Sequence, residues 1–275
     1  MSLSSVHSSA LGTSRLRLGA LAAYAASGVA LIPFAAWVLG LPLLLLCLVL
    51  ARRDPDPAFL RRMAVLAGCN LLLAFAPIHT DTSTSHIAVL ASCFLAVIAV
   101  PYLILRRTDP GVIRYRWFPR RLRKLDLFYV FISIPLAWAA FELYFGVVSP
   151  HVPGNWTLPP EPSNEENWRL FLGINGVGIW DELFFINTVY AVLRSVFPYR
   201  WANLGQAVIY TAVLYDMAFR GLGPWLIYPF ALTQGAMFEE SESLVYVILV
   251  HLIVDAFLFA GILAYYYPGG SWFLN

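Results

Sequence analysis

The chain has 275 residues, of which 60% are hydrophobic and 12% charged, against about 45–50% apolar and about 25% charged in soluble domains. Runs this long and this apolar exceed what a water-soluble core can bury, and several reach the roughly 20 residues that cross a bilayer as helix. Their continuity excludes a transmembrane barrel, which would alternate in segments of about ten residues, and the net charge of +2 points to no nucleic acid, because the basic residues cluster between apolar runs and report topology.

The expected fold is therefore all-α, a polytopic transmembrane helical bundle of seven or eight spans. Residues 1–17 read as a cytoplasmic N-terminal segment. Their basic residues precede an apolar run that continues far beyond a signal-peptide core, so the segment reads as retained. Apolar runs follow at about Leu18–Leu50, Met63–Pro77, His86–Leu105, Leu127–Val148, Leu170–Leu193, Ala202–Phe219, Pro224–Phe238 and Leu244–Tyr267. The first would span roughly 50 Å as one helix, too long for one crossing and short for two. Pro33, Gly40 and Pro42 permit a break: a tight hairpin gives eight crossings, a single span with an interfacial helix seven.

Residues 18–148 thus form an N-terminal set of transmembrane helices with a basic cytoplasmic loop at 106–124, which holds eight Lys and Arg against Asp109 alone. Residues 149–167 hold no Lys or Arg and read as an extracytoplasmic loop, with the sequon "NWT" at Asn155. Residues 168–267 form a second set of helices, and 268–275 a C-terminal tail. Basic loops stay in the cytoplasm, which puts the N-terminus inside and the C-terminus outside. The use of Arg over a lone Lys points to a bacterial cell membrane. Cys47, Cys69 and Cys93 lie in apolar runs with no metal or disulfide spacing and read as packing residues. Glu239, Glu240 and Glu242 read as a solvated loop cluster.

Ionisable groups inside spans are costly unless paired or wetted, and each is a functional-site hypothesis. Five fall in the last four apolar runs: Asp181, Glu182, Asp216, His251 and Asp255. Counted along the helices from the basic end, Glu182 lies roughly 18 Å deep, Asp216 roughly 22 Å, Asp255 roughly 16 Å and His251 roughly 10 Å. A shared polar chamber, open towards the cytoplasmic half, explains this coincidence. In "HLIVD" His251 and Asp255 stand one turn apart on one face. Asp181 and Glu182 point about 100° apart, so only one can aim straight into the chamber while the other orients a partner. A divalent metal ion is a candidate cofactor, with Glu182, Asp216, His251 and Asp255 as acceptable ligands.

"DELFFI" from Asp181 and "HLIVD" from His251 together resemble the CPBP family of intramembrane proteases, also called the CAAX-protease or Abi family, whose pattern is "EExxxR", then "FxxxH", then "HxxxN" or "HxxxD". The resemblance covers roughly Leu170 to Tyr267. It implies a hydrolase that cleaves a membrane-associated protein or peptide with a carboxylate-activated water. Asp181 would be the base, with Glu182 its substitute, His251 and Asp255 would lie near the scissile carbonyl, and Asp216 would occupy the place of the second-motif histidine. Asp181 is one methylene shorter than the family's glutamate, and Ile186 stands where its arginine belongs. These departures keep two other readings in view: a catalytically lapsed scaffold or immunity-type protein, and a proton- or cation-coupled transporter. The expected partners are membrane lipids and the membrane-associated substrate, with no nucleic acid.

Overall fold

The computed structural model describes residues 14–119, 124–148, 158 and 163–267; Asn155, and the parts of the basic loop and of both terminal segments outside these ranges, are not among them. The described residues fold into nine helices and no strand. They are α1 Arg15–Leu31, α2 Trp37–Arg52, α3 Pro57–Phe75, α4 Thr84–Thr108, α5 Lys124–Leu143, α6 Asn164–Arg194, α7 Tyr199–Met217, α8 Gly223–Ser241 and α9 Leu244–Tyr266. Five of these (α3, α4, α5, α6 and α9) are long and apolar enough to cross a membrane. These five are compatible with an integral membrane protein.

Local chemistry sets the helix ends. Ser14, Asp56, Ser83, Ser163 and Ser243 each cap a helix by accepting a backbone N–H of its first turn, and each such cap is worth about 1 kcal/mol. Pro57 starts α3, where the missing N–H costs nothing. The long first apolar run breaks between Leu31 and Trp37, where Ala35 adopts φ +44°, and α1 and α2 form a hairpin. Gly40 allows it: a Cβ there would lie 2.4 Å from Leu31 Cγ. Pro42 falls inside α2 rather than at the break.

The outer faces of the helices are apolar, with Leu95, Phe131, Leu136 and Trp225 all more than 60% exposed. Polar groups lie inside, the arrangement a lipid solvent favours. Helix α6 is central, with 72% of its span buried against 17% for α4. It packs against α4, α7, α8 and α9.

Contacts gather the basic segments at one end. Arg17 holds Asp54 through two hydrogen bonds of 2.7 and 2.8 Å, reaches Val196 O and lies over the Phe59 ring. Arg61 and Arg62 share Asp109, and Arg62 also reaches Ser195 O. Arg194 grips Glu239, which accepts from the Tyr190 hydroxyl as well, and Arg116 pairs with Glu242. Glu239 and Glu242 are therefore ion-paired struts and not a merely solvated cluster.

The Arg17 hydrogen bonds hold the Asp54 carboxyl below its ordinary 3.8, outweighing the opposite push of burial. A depressed folded-state pKa contributes stability above the unfolded value, and that contribution disappears as pH falls through the folded one. Asp54→Asn is therefore expected to lower the stability of detergent-solubilised protein by about 1 kcal/mol at neutral pH, the scale of a charged hydrogen-bonded pair partly screened by water. The gap in melting temperature between variant and wild type should close as pH drops below about 4. A gap that is constant across a thermal-shift pH series contradicts this role.

Candidate functional site

Four of the five ionisable groups expected to converge do so, at the crossing of α6 and α9. Asp181, Glu182, His251 and Asp255 are each no more than 4% exposed. His251 Nδ1 lies 2.7 Å from Glu182 Oε1. Its Nε2 lies 3.7 Å from Asp181 Oδ2 and 3.6 Å from Asp255 Oδ1. The imidazole is thus held by Glu182 on one side and faces two carboxylates on the other. Phe230 packs edge-on against the ring at 5.2 Å.

Helix α6 delivers its two acids by an irregularity. From Glu182 to Tyr190 its turns widen into a π-helix, a form that occurs mostly as short segments, frequently at functional sites. Just before it, Trp180 stacks on Phe94 at 3.6 Å and donates its indole N–H to Phe94 O, which locks α6 to α4 beside Asp181. Gly178, one turn earlier, lets α9 approach. A Cβ at Gly178 would lie 2.0 Å from Asp255 Oδ2 and 3.1 Å from the His251 ring.

Two residues complete the cluster that the sequence did not single out. Tyr210 on α7 donates to Asp181 Oδ2 at 3.5 Å, and its hydroxyl lies 3.2 Å from His251 Nδ1. Gln234 on α8 donates to Glu182 Oε1 at 3.0 Å. No titratable signal marks them, and a tyrosine or glutamine in an apolar run reads as packing. Four helices therefore contribute to the site, as a shared chamber requires, though not through the residues expected of α7.

Asp216 does not join the cluster. It is half-buried near the far end of α7, 4.0 Å from Arg220 one turn on. Six residues beyond Tyr210, it sits about 9 Å further along and about 240° around the helix, so it points elsewhere. Ile186, at the position of the family's arginine, is fully buried.

A cavity of about 370 Å³ leads to this cluster. Its floor includes Asp181, His251 and Asp255, whereas Glu182 lies behind it. Its walls are largely apolar, among them Leu90, Phe94, Ile174 and Leu258, and its mouth holds His79, Asp81, His86 and Arg169. The mouth is at the α3–α4 turn and the start of α6, the end opposite the basic loops. The expected opening towards the basic, cytoplasmic half is thus corrected: at that end the ion-paired struts close the bundle. From Arg169 to Asp181 the cavity runs roughly 18 Å along α6. On its floor Asp181 Oδ1 and Asp255 Oδ2 have no hydrogen-bond partner in the protein, so they are available to water or to a bound polar group.

Glu182, Asp216, His251 and Asp255 do not form a metal-ligating set. Asp216 is remote, and among the described residues the His, Cys, Asp and Glu groups whose ligand atoms lie within 4.8 Å of one another reduce to His79, Asp81 and His86 at the mouth. No disulfide joins Cys47, Cys69 and Cys93, all of which are free. No family model, curated protein or solved structure matches the chain.

Gly178→Ala should push Asp255 from His251 while leaving the helices formed. Its cost is expected near 1–3 kcal/mol, the range for overpacking, and Asp255→Ala in the same chain should recover part of it, giving a coupling of at least about 0.5 kcal/mol in a double-mutant cycle read by thermal denaturation in detergent. Strictly additive effects would separate Gly178 from Asp255.

Proposed function

We propose that the chain is a membrane-embedded peptidase of the CPBP type, hydrolysing a peptide bond of a membrane-associated protein or peptide at the floor of this cavity. The observation that carries the reading is the position of His251: its Nδ1 is held by Glu182 and its Nε2 faces two cavity-lining carboxylates, far from either surface. Oriented imidazoles flanked by a second acid or base are the recurring device for moving protons in a water-excluded site. The motifs "DELFFI" and "HLIVD" supply that device in the order the family resemblance implies.

In this reading Asp181 takes a proton from a water held between its carboxylate and the His251 imidazolium. The resulting hydroxide attacks the carbonyl carbon, and the oxyanion is met by His251 Nε2–H, while the Tyr210 hydroxyl, on the Nδ1 side of the ring, steadies the Asp181 carboxyl. As the C–N bond breaks, His251 gives its Nε2 proton to the leaving amine, and the proton that Asp181 took from the water passes to Nε2, which restores both the imidazolium and the carboxylate. Glu182 is a positioning residue: it accepts Nδ1–H and favours the charged imidazole. Gln234 fixes Glu182 in turn. Asp255 holds the other side of Nε2. The apolar walls suit an extended or unwound hydrophobic segment.

For the membrane topology, we propose seven crossings, α3 to α9, with the basic end in the cytoplasm of a bacterial cell. Helices α1 and α2, at 17 and 16 residues, are the shortest of the nine described helices and lie at or below the lower limit of about 17 residues for a span. They would enter and leave on the basic side as a hairpin, which keeps the N-terminus cytoplasmic. The chamber then opens to the outer face.

The test uses purified protein with a library of hydrophobic peptides in detergent or bilayer discs, in water enriched with heavy oxygen. Cleavage should place heavy oxygen in the new carboxylate. Asp181→Asn and His251→Ala are each expected to lower the rate by at least about a hundredfold and Glu182→Gln by less, while Asp216→Asn leaves it near wild type. Unchanged turnover in Asp181→Asn or His251→Ala defeats the reading. Peptide binding without turnover in wild type favours a scaffold, and pH-gradient-driven uptake abolished by Asp255→Asn favours a transporter.

A further inference from the structure

The mouth of the cavity carries a second group of chemically capable side chains, separate from the deep cluster. In the α3–α4 turn and the first turn of α4, "HTDTSTSH", each of His79, Asp81 and His86 offers a ligand atom within 4.8 Å of the other two, and all three line the cavity. We infer that these three residues form a binding site for a divalent transition-metal ion of the zinc class, with an open coordination position facing the cavity.

The donor set fits that class. Two imidazoles and one carboxylate leave a fourth, exchangeable position in a tetrahedral zinc site, whereas magnesium and calcium call for oxygen donors throughout. Ligand atoms of a tetrahedral zinc lie roughly 3.3 Å apart, from bond lengths of about 2.0–2.1 Å. Side-chain rotation suffices to close from the observed separations, since His79 is exposed and Asp81 and His86 are only partly buried.

The surroundings prepare the ligands. His86 Nε2 lies 2.8 Å from His79 O, and a carbonyl can only accept, so the neutral ring carries its proton on Nε2 and keeps the Nδ1 lone pair for a metal. A second nitrogen that donates to a backbone carbonyl is the usual companion of a metal-bound histidine. Asp81 Oδ1 accepts the Ser83 N–H at 2.7 Å, which orients the carboxylate at the start of α4. The two imidazoles are already neighbours, with ring centroids 4.2 Å apart and planes tilted by 47°. Charge also suits a cation. Asp81, Glu165 and Glu166 stand against Arg169 at this end, Glu166 being tied in through Thr82 at 2.7 Å and Glu165 through Arg169 at 2.9 Å. The local sum of three negative charges and one positive is the charge a divalent ion neutralises.

This inference does not depend on the peptidase reading. Full-length protein, purified in detergent without a histidine tag, is dialysed against buffered Zn²⁺, and the bound zinc is counted by mass spectrometry; Co²⁺ is then substituted and followed by its visible absorption. The wild type should retain a single zinc and melt at higher temperature with it. His79→Ala, His86→Ala and Asp81→Asn should each weaken zinc binding at least about tenfold. Asp81→Asn preserves the acceptor for Ser83 and so keeps the turn intact if the histidine variants unfold. His251→Ala, in the deep cluster, should leave the affinity unchanged. The inference is overturned if the wild type holds no zinc above the dialysis buffer, if a folded Asp81→Asn binds as tightly as wild type, or if His251→Ala abolishes binding.

Discussion

A histidine and a glutamate 2.7 Å apart, buried where four helices meet, constrain the rest of this structure. Burying an unpaired ionised group costs several kcal/mol even after relaxation, and in a membrane there is no solvent to which a misplaced carboxylate could retreat. Every neighbouring feature bears on that cost. Gln234 donates to the same glutamate oxygen, Tyr210 bridges the imidazole and Asp181, and Gly178 gives Asp255 room on the far side of the ring. Fill the close approach at Gly178, and the acids on α6 and the acid and base on α9 can no longer share one point undisturbed.

The convergence of Asp181, Glu182, His251 and Asp255 was legible because charge in an apolar run is a strong signal and helical rise converts position into depth. Depth is only one of two coordinates. Asp216 has a suitable depth but lies on another face of α7, where Arg220 takes it up, and that angular coordinate is fixed by how α7 packs and not by its own residues. Tyr210 faces the cluster and was invisible, because phenols are common in membrane spans and carry no mark of a polar partner. The division of labour between Asp181 and Glu182 was legible as a necessity, one facing inward and one behind. Which does which depends on how α6 is rotated against α4 and α9, and neither that rotation nor the π-helical turns from Glu182 to Tyr190 is announced by a residue pattern. The all-helical character followed from composition together with the continuity of the apolar runs. The break in the first apolar run was expected, but its place was set by Ala35 and the chain around Pro33, while Pro42 was absorbed into α2.

The two ends of the bundle differ in kind, and this bears on how anything reaches His251. At the basic end the chain crosses over itself: backbone N–H groups of Leu244 and Val245 donate to the carbonyls of Arg116 and Trp117, and Arg17, Arg61, Arg62, Arg116 and Arg194 are each committed to a carboxylate. Basic residues there lash the helices together. Among the described residues the opposite end has fewer such ties near α4 and α6, and there the cavity opens. Counting depth from the basic end could locate the site but could not say which end admits a ligand, because rise along a helix is symmetric and sealing is not.

The polar contents of the cavity lie in two layers, one at the mouth and one at the floor, with apolar side chains between them. Such a separation has a physical consequence. An ion or a charged group held at the mouth is roughly 18 Å from the deep carboxylates, too far to neutralise them by contact, so the deep cluster must balance its own charge through the His251 imidazole and its hydrogen bonds. A long apolar chain is the kind of molecule that can occupy both layers and the stretch between, meeting polar groups only at its ends. Small hydrated solutes would be desolvated along the whole passage with nothing to replace their water. The distribution of polar groups along the cavity therefore matches the polarity of an elongated, mostly hydrophobic molecule better than that of a hydrated ion.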